Sequence, residues 1–180
     1  MKTHTEIWRS LSGVFFSFLL AGCAVFTDSA LQPGQGTAAS VQERMGPPAM
    51  RWTESAGGET WVYPSGPMGY HTWFLRLDAA GRLIERKNVL DAAHFAQIAA
   101  DMSEDQVVRR IGPPHPAWTV YFSARNELVW EWRYCDDWNE PARFNVLFDA
   151  TTRRVRSTYS APEKLRATFD FQHLPRWCGH

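Results

Sequence analysis

The chain repeats itself, and that constrains its fold more than any other feature. Val41, Arg44 and Gly46-Pro47-Pro48 recur as Val107, Arg110 and Gly112-Pro113-Pro114, all at an offset of 66 residues. Trp52-Thr53 recurs as Trp118-Thr119 at the same offset. Further on, Trp61 matches Trp130 at an offset of 69, and Asp78-Ala79 matches Asp149-Ala150 at 71. The offset grows only through loop-like segments, where insertions are tolerated. Matches that keep one order over this length point to two diverged copies of one unit.

Each copy reads in the same way. A short helix comes first. In the second copy Ser103 is the expected cap and Gln106 completes a capping box, with Val107 and Ile111 on the buried side. Gly112 ends that helix and Pro113-Pro114 forbids its continuation. In the first copy Thr37 is the cap, Val41 and Met45 form the apolar face, and Gly46 is the stop. A further short helix is expected over about residues 92–100, capped by Asp91, with Phe95 and Ile98 or Ala99 inward. Strands follow. Leu128, Trp130, Trp132 and Tyr134 alternate with Val129, Glu131, Arg133 and Cys135; Phe144, Val146 and Phe148 alternate with Asn145, Leu147 and Asp149. In the first copy Trp73, Leu75 and Leu77 alternate with Phe74, Arg76 and Asp78. Period two with large aromatics marks half-buried antiparallel strands. Turns at Asp78-Ala79-Ala80-Gly81 and Asp149-Ala150-Thr151-Thr152 lead into last strands over about residues 83–89 and 155–159. The expected fold class is therefore α+β: two tandem units, each with one or two short helices packed on about three antiparallel strands.

The N-terminus supplies an address. Lys2 and Arg9 precede an apolar stretch over residues 11–20, which closes in Leu20-Ala21-Gly22-Cys23. This is the layout of a secretory signal ending in a lipobox, and it resembles a bacterial lipoprotein signal. Cys23 would then carry the lipid and become the mature N-terminus. The stretch is too short for a membrane span, which needs about 20 apolar residues. Several acyl chains hold a protein firmly where one holds it marginally. Ala24 stands where Asp would favour inner-membrane retention in the Gram-negative sorting pattern, so the expected location is the periplasmic face of the outer membrane. The expected organisation is signal peptide 1–22, linker 23–30, repeats over 31–90 and 91–160, and a C-terminal tail over 161–180.

Lys2, Arg9 and Glu6 leave with the signal, so 17 basic and 18 acidic residues remain. That balance provides no field to steer the chain to nucleic acid. In an oxidising compartment, Cys135 and Cys178 are expected to form a disulfide; two free buried thiols are the alternative.

The segments 95–98, Met102-Ser103-Glu104-Asp105-Gln106-Val107 and Ile111-Gly112-Pro113-Pro114, behind a lipobox and ahead of an aromatic strand and an apolar strand ending in Asp, resemble the SmpA/OmlA (BamE-like) family of outer-membrane lipoproteins. Leu31-Gln32-Pro33-Gly34 with residues 37–48 is a weaker copy. The family's fold is similar to the tandem repeat of the β-lactamase inhibitor proteins. The resemblance implies binding rather than catalysis, with a protein partner in the outer-membrane barrel assembly complex and a role in envelope integrity. The usual assembly subunit carries the unit once; this chain carries it twice.

A catalytic site is not expected. The sequence has no nucleophile elbow, and His71, His94, His115, His173 and His180 form no His-x-x-x-His pair. Cys135-Asp136-Asp137 with His173, Cys178 and His180 is the nearest approach to a metal set, and its spacing matches no common zinc pattern. No cofactor is expected. Trp61, Trp73, Trp130 and Trp132 read either as core or as a binding face. Arg133, Arg143, Arg153, Arg154 and Arg156 read either as a solvated strand edge or as a contact patch for an acidic partner or lipid headgroups. The candidate partner contacts are Trp130, Trp132, Arg133, Arg154 and Arg156. The alternative function is an inhibitor or sensor that grips a periplasmic hydrolase through an aromatic sheet face.

Overall fold

The structure, a computed structural model, describes residues 29–163 and residue 178. The expected lipidation site, Cys23, and most of the tail, with Trp177, His173 and His180, lie outside the described residues.

The two copies fold as two α+β units. In the first, α1 (Ala38–Met45) precedes β1 (Met50–Thr53), β2 (Glu59–Pro64), β3 (Thr72–Leu77) and β4 (Leu83–Asn88). In the second, α2 (Ala92–Phe95) and α3 (Glu104–Ile111) precede β5 (Thr119–Phe122), β6 (Glu127–Cys135), β7 (Pro141–Asp149) and β8 (Arg154–Pro162). Each set of strands forms an antiparallel meander in sequence order, β1-β2-β3-β4 and β5-β6-β7-β8. Each sheet therefore adds a leading strand, β1 or β5, to the three that alternation marks. Both added strands are four residues long and fall just after the Gly-Pro-Pro motif.

The repeat persists in backbone detail. Both helices open with a capping box, Thr37 with Ser40 and Ser103 with Gln106. Both end on a glycine at φ 76°. Both helix starts bridge to the last strand of their own unit, Thr37 opposite Arg82 and Ser103 opposite Arg154. Both β-turn aspartates accept backbone N–H bonds: Asp78 Oδ1 from Ala80 and Arg82, Asp149 Oδ1 from Thr151 and Thr152. The second helix is shorter than its expected span. Gln97 and Ile98 bond back only three residues, to His94 and Phe95, and Asp101 turns at φ 66° so that its N–H reaches Val155. Phe95 and Ile98 still face inward.

Two cores result. Val41, Trp61, Tyr63, Leu75, Leu77 and Leu83 fill the space between α1 and sheet 1. Phe95, Val107 and Ile111 pack on Trp132, Phe144, Val146 and Phe148 between the second unit's helices and sheet 2. Phe95 stacks on Phe144 at 3.9 Å. Each such fully buried side chain contributes about 1.5–3 kcal/mol through apolar area removed from water.

The units also stack on each other. The C-terminus of α3 lies against the far face of sheet 1. A Cβ added to Gly112 would lie 2.6 Å from Thr72 Cγ2 and 3.4 Å from Val62 Cγ1. The Arg109 guanidinium sits 5.3 Å over the Trp52 ring. The layers thus run α1, sheet 1, α2 and α3, sheet 2. Each β2 residue from Thr60 to Tyr63 is buried because layers press on both sides. Among the described residues, sheet 2 has helices on one side only.

Candidate functional site

Alternation along β6 and β7 assigns each side chain to a face of sheet 2. Leu128, Trp132, Tyr134, Phe144, Val146 and Phe148 face the helices and belong to the core. Trp130 packs against that core from a partly buried position. The sequence left these tryptophans with two readings; the structure corrects the contact reading for both. Trp132 is 3% exposed, and Trp130 lies 4.7 Å from the Phe148 ring. Neither is on the outer face.

The arginines all have partners within the chain. Arg133 Nε pairs with Glu163 Oε2 at 2.6 Å, and its Nη1 donates to the Met68 carbonyl at 2.8 Å. Arg143 pairs with Glu163 and with Glu131. Arg143 also lies over the Trp118 ring, and Arg133 over the Tyr70 ring. These side chains are largely shielded, and Arg133 ties the loop between β2 and β3 to the second unit. Arg153 pairs with Glu104, Arg154 donates to the Asp101 carbonyl, and Arg156 pairs with Asp149 while donating to the Arg125 carbonyl. These bonds fasten β8 to α3 and to neighbouring turns. The basic cluster is paired within the chain, while Arg153, Arg154 and Arg156 stay exposed. Pairing between residues up to 65 apart in sequence is invisible to local inspection.

Cys135 and Cys178 are joined in a disulfide with Cα atoms 5.9 Å apart, and the Cys178 N–H donates to the Asn139 carbonyl. With both sulfurs bonded to each other, neither is a thiolate ligand, so the Cys-Asp-Asp set loses its softest donors. Among the described residues no group of three or more His, Cys, Asp or Glu side chains is arranged to hold a metal ion. No helix among them is long and apolar enough to cross a membrane.

What the structure does present is the outer face of sheet 2. A groove of about 600 Å³ runs across it, floored by Val120, Val129 and Leu147 and flanked by Trp118, Phe122 and Tyr159. Val120 is 45% exposed, Phe122 42% and Tyr159 51%. The carboxylates of Glu127 and Glu131 border the groove and are each paired, with Arg125 and Arg143. Asn145 lies in the middle. It is 4% exposed overall, and its side-chain amide has no hydrogen bond among the described residues. An apolar strip of this kind, with several large side chains exposed side by side, is a surface suited to contact. Sequence reading missed these residues. The run Thr119-Val120-Tyr121-Phe122, β-branched and aromatic, was the available signal for an added strand. A second, more enclosed cavity of about 260 Å³ lies between the units, bounded by Pro64, Leu90, Pro113, Pro114, Trp118 and Trp132.

No family model matches the chain, and no curated protein matches it. Among solved structures the chain is similar to an extracellular protein containing a SCP domain from Bacillus anthracis str. Ames, at 9% identity and a TM-score of 0.29. The match covers 92% of this chain and 56% of that one, so the chain spans little more than half that protein's length. A likeness this weak assigns neither fold nor function. The class is set by the molecule's own geometry: a two-unit α+β scaffold in which, among the described residues, one sheet face carries no helix.

Proposed function

We propose that this protein is a non-catalytic binding module, tethered through lipid on Cys23 to the periplasmic face of the outer membrane and serving barrel assembly or envelope integrity. The observation that carries the binding part is the groove on sheet 2, where Val120, Phe122 and Tyr159 stand exposed on one face. The anchor and the location rest on the Leu20-Ala21-Gly22-Cys23 motif and on Ala24. The barrel-assembly role rests on resemblance to the SmpA/OmlA family. Cys23→Ser is expected to leave a soluble or unprocessed protein, and normal membrane fractionation of that variant refutes the anchor. A tagged full-length chain is expected to co-purify barrel-assembly subunits. Recovery of a single soluble hydrolase instead moves the role to inhibition or sensing. Loss of the gene without a change in outer-membrane permeability or barrel content refutes the assembly role.

A further inference from the structure

We infer that the cleft between α3 and sheet 1 binds a small aromatic carboxylate. This goes beyond the protein-binding reading and does not rest on it. The cleft has a volume of about 510 Å³. A dry cavity of about 150 Å³ already takes a benzene ring, so there is room here for two fused rings. The two walls differ in kind. Sheet 1 supplies the rings of Trp52 and Phe74, set edge to face with centroids 5.4 Å apart. Both side chains are only partly buried, and neither belongs to the core of its unit. α3 supplies Gln106, Arg109 and Arg110, and Arg76 of β3 joins them.

Those four side chains all offer N–H groups. Gln106 Oε1 already accepts from the Ser103 N–H at 2.8 Å, which leaves the amide NH2 to donate. Arg110 Nη1 donates to the neutral Gln97 Oε1 at 2.9 Å, and no carboxylate among the described residues matches its charge. Arg109 pairs with Asp105 and Arg76 with Glu85, and the side chains in these pairs are between 42% and 73% exposed. Pairs so exposed are weak and yield to a better-placed anion. The Arg109 guanidinium stands 5.3 Å over the Trp52 ring, so cation and ring address the same space. The carboxylate in the lining, Glu54, accepts from Trp52 Nε1 at 3.0 Å and from Thr60 Oγ1, which ties it to the sheet wall. Three guanidinium groups thus stand against one engaged carboxylate. A guanidinium fork takes both oxygens of a carboxylate in one plane, and a flat ring behind that carboxylate packs on Trp52 and Phe74. A bare anion leaves the rings unused, and an uncharged ring leaves the arginines unused.

The test is a titration of the full-length chain, labelled with heavy nitrogen at tryptophan for NMR, with sodium 2-naphthoate. Acetate serves as the anion without the rings, and 2-naphthylmethanol as the rings without the anion. Saturable binding of 2-naphthoate is expected, with movement of the Trp52 indole signal, assigned by Trp52→Phe. Acetate and 2-naphthylmethanol are each expected to bind about tenfold more weakly or worse. Arg109→Gln or Arg110→Gln is expected to weaken 2-naphthoate about tenfold, as loss of one charge-assisted hydrogen bond implies. Both arginines are exposed on α3, so these variants keep the fold. Arg51→Gln, on the opposite alternation of β1 from Trp52, is expected to change nothing. Equal affinity for acetate or for 2-naphthylmethanol overturns the proposal. So does a lack of saturable binding, binding that both Arg109→Gln and Arg110→Gln leave unchanged, or movement of other indole signals without that of Trp52. None of these outcomes bears on Cys23 or on the groove of sheet 2, so the protein-binding reading stands or falls separately.

Discussion

Gly112→Ala, compared with Gly46→Ala, measures how firmly the two units hold each other. Both glycines end equivalent helices, at φ 76° with ψ 176° and −170°. That corner of backbone space is nearly closed to residues with a Cβ, and occupying it costs about 1–3 kcal/mol. The backbone penalty is therefore common to both variants. The surroundings differ. Around Gly46 a Cβ meets nothing within 4 Å. At Gly112 it meets Thr72 Cγ2 at 2.6 Å, with Val62 Cγ1 and Phe74 Cε1 at 3.4 and 3.5 Å. Thr72 and Val62 are buried in a sheet and cannot swing aside. Overpacking of this kind costs about 1–3 kcal/mol more. Gly112→Ala should thus exceed Gly46→Ala by that amount, read as a lower urea midpoint at unchanged slope in tryptophan fluorescence. Thr72→Ser removes the offending methyl. Alone it should cost about 0.8 kcal/mol for the lost methyl group. Combined with Gly112→Ala it should cost less than the two changes summed, with a coupling on the order of 1 kcal/mol. Equal losses at the two glycines, or strict additivity in the double variant, refutes the stacking of α3 on sheet 1.

Two further outcomes follow from the second unit. Replacing Cys135 and Cys178 together with Ala removes a link across 43 residues; the chain-entropy account gives a loss of about 4 kcal/mol, and an unchanged urea midpoint refutes that role. The Thr152 backbone N–H, followed by the Arg156 guanidinium, holds the Asp149 carboxyl down to about 2. A carboxyl lowered on folding stabilises above its unfolded value near about 4, and that support is lost as pH falls towards about 2. Asp149→Asn should therefore be less stable than the parent at neutral pH. The gap should close as pH falls through that window, and a gap that stays constant from pH 7 to pH 2 refutes the assignment.

The legible parts of the fold were those specified by neighbours in sequence. Thr37 and Ser103 cap their helices because the residue three places on can answer them. The hairpins follow from period-two runs and from aspartates that bond their own turns. Less legible was which face of a strand is covered. Trp130 and Trp132 share an alternation with Leu128 and Tyr134, whereas Val129 and Leu147 share theirs with Glu131, Arg133, Asn145 and Asp149, so period two separated the faces without showing that the polar one also holds an apolar strip. The four-residue strands β1 and β5 were too short to show an alternation of their own. The candidate site was missed for the same reason: Asn145 reads as an ordinary polar residue until its surroundings are known.

Sequence by itself determined that there are two copies, where each helix starts and stops, which residues pair off across each turn, and which motif stands at Cys23. Those features depend on contacts a few residues apart or on comparing the chain with itself. Tertiary structure alone decided that α3 is shared between two sheets, that the arginines are matched internally by Glu104, Glu131, Asp149 and Glu163, and that Val120, Val129 and Leu147 line a groove on sheet 2. Burial and ion pairing depend on what lies across space.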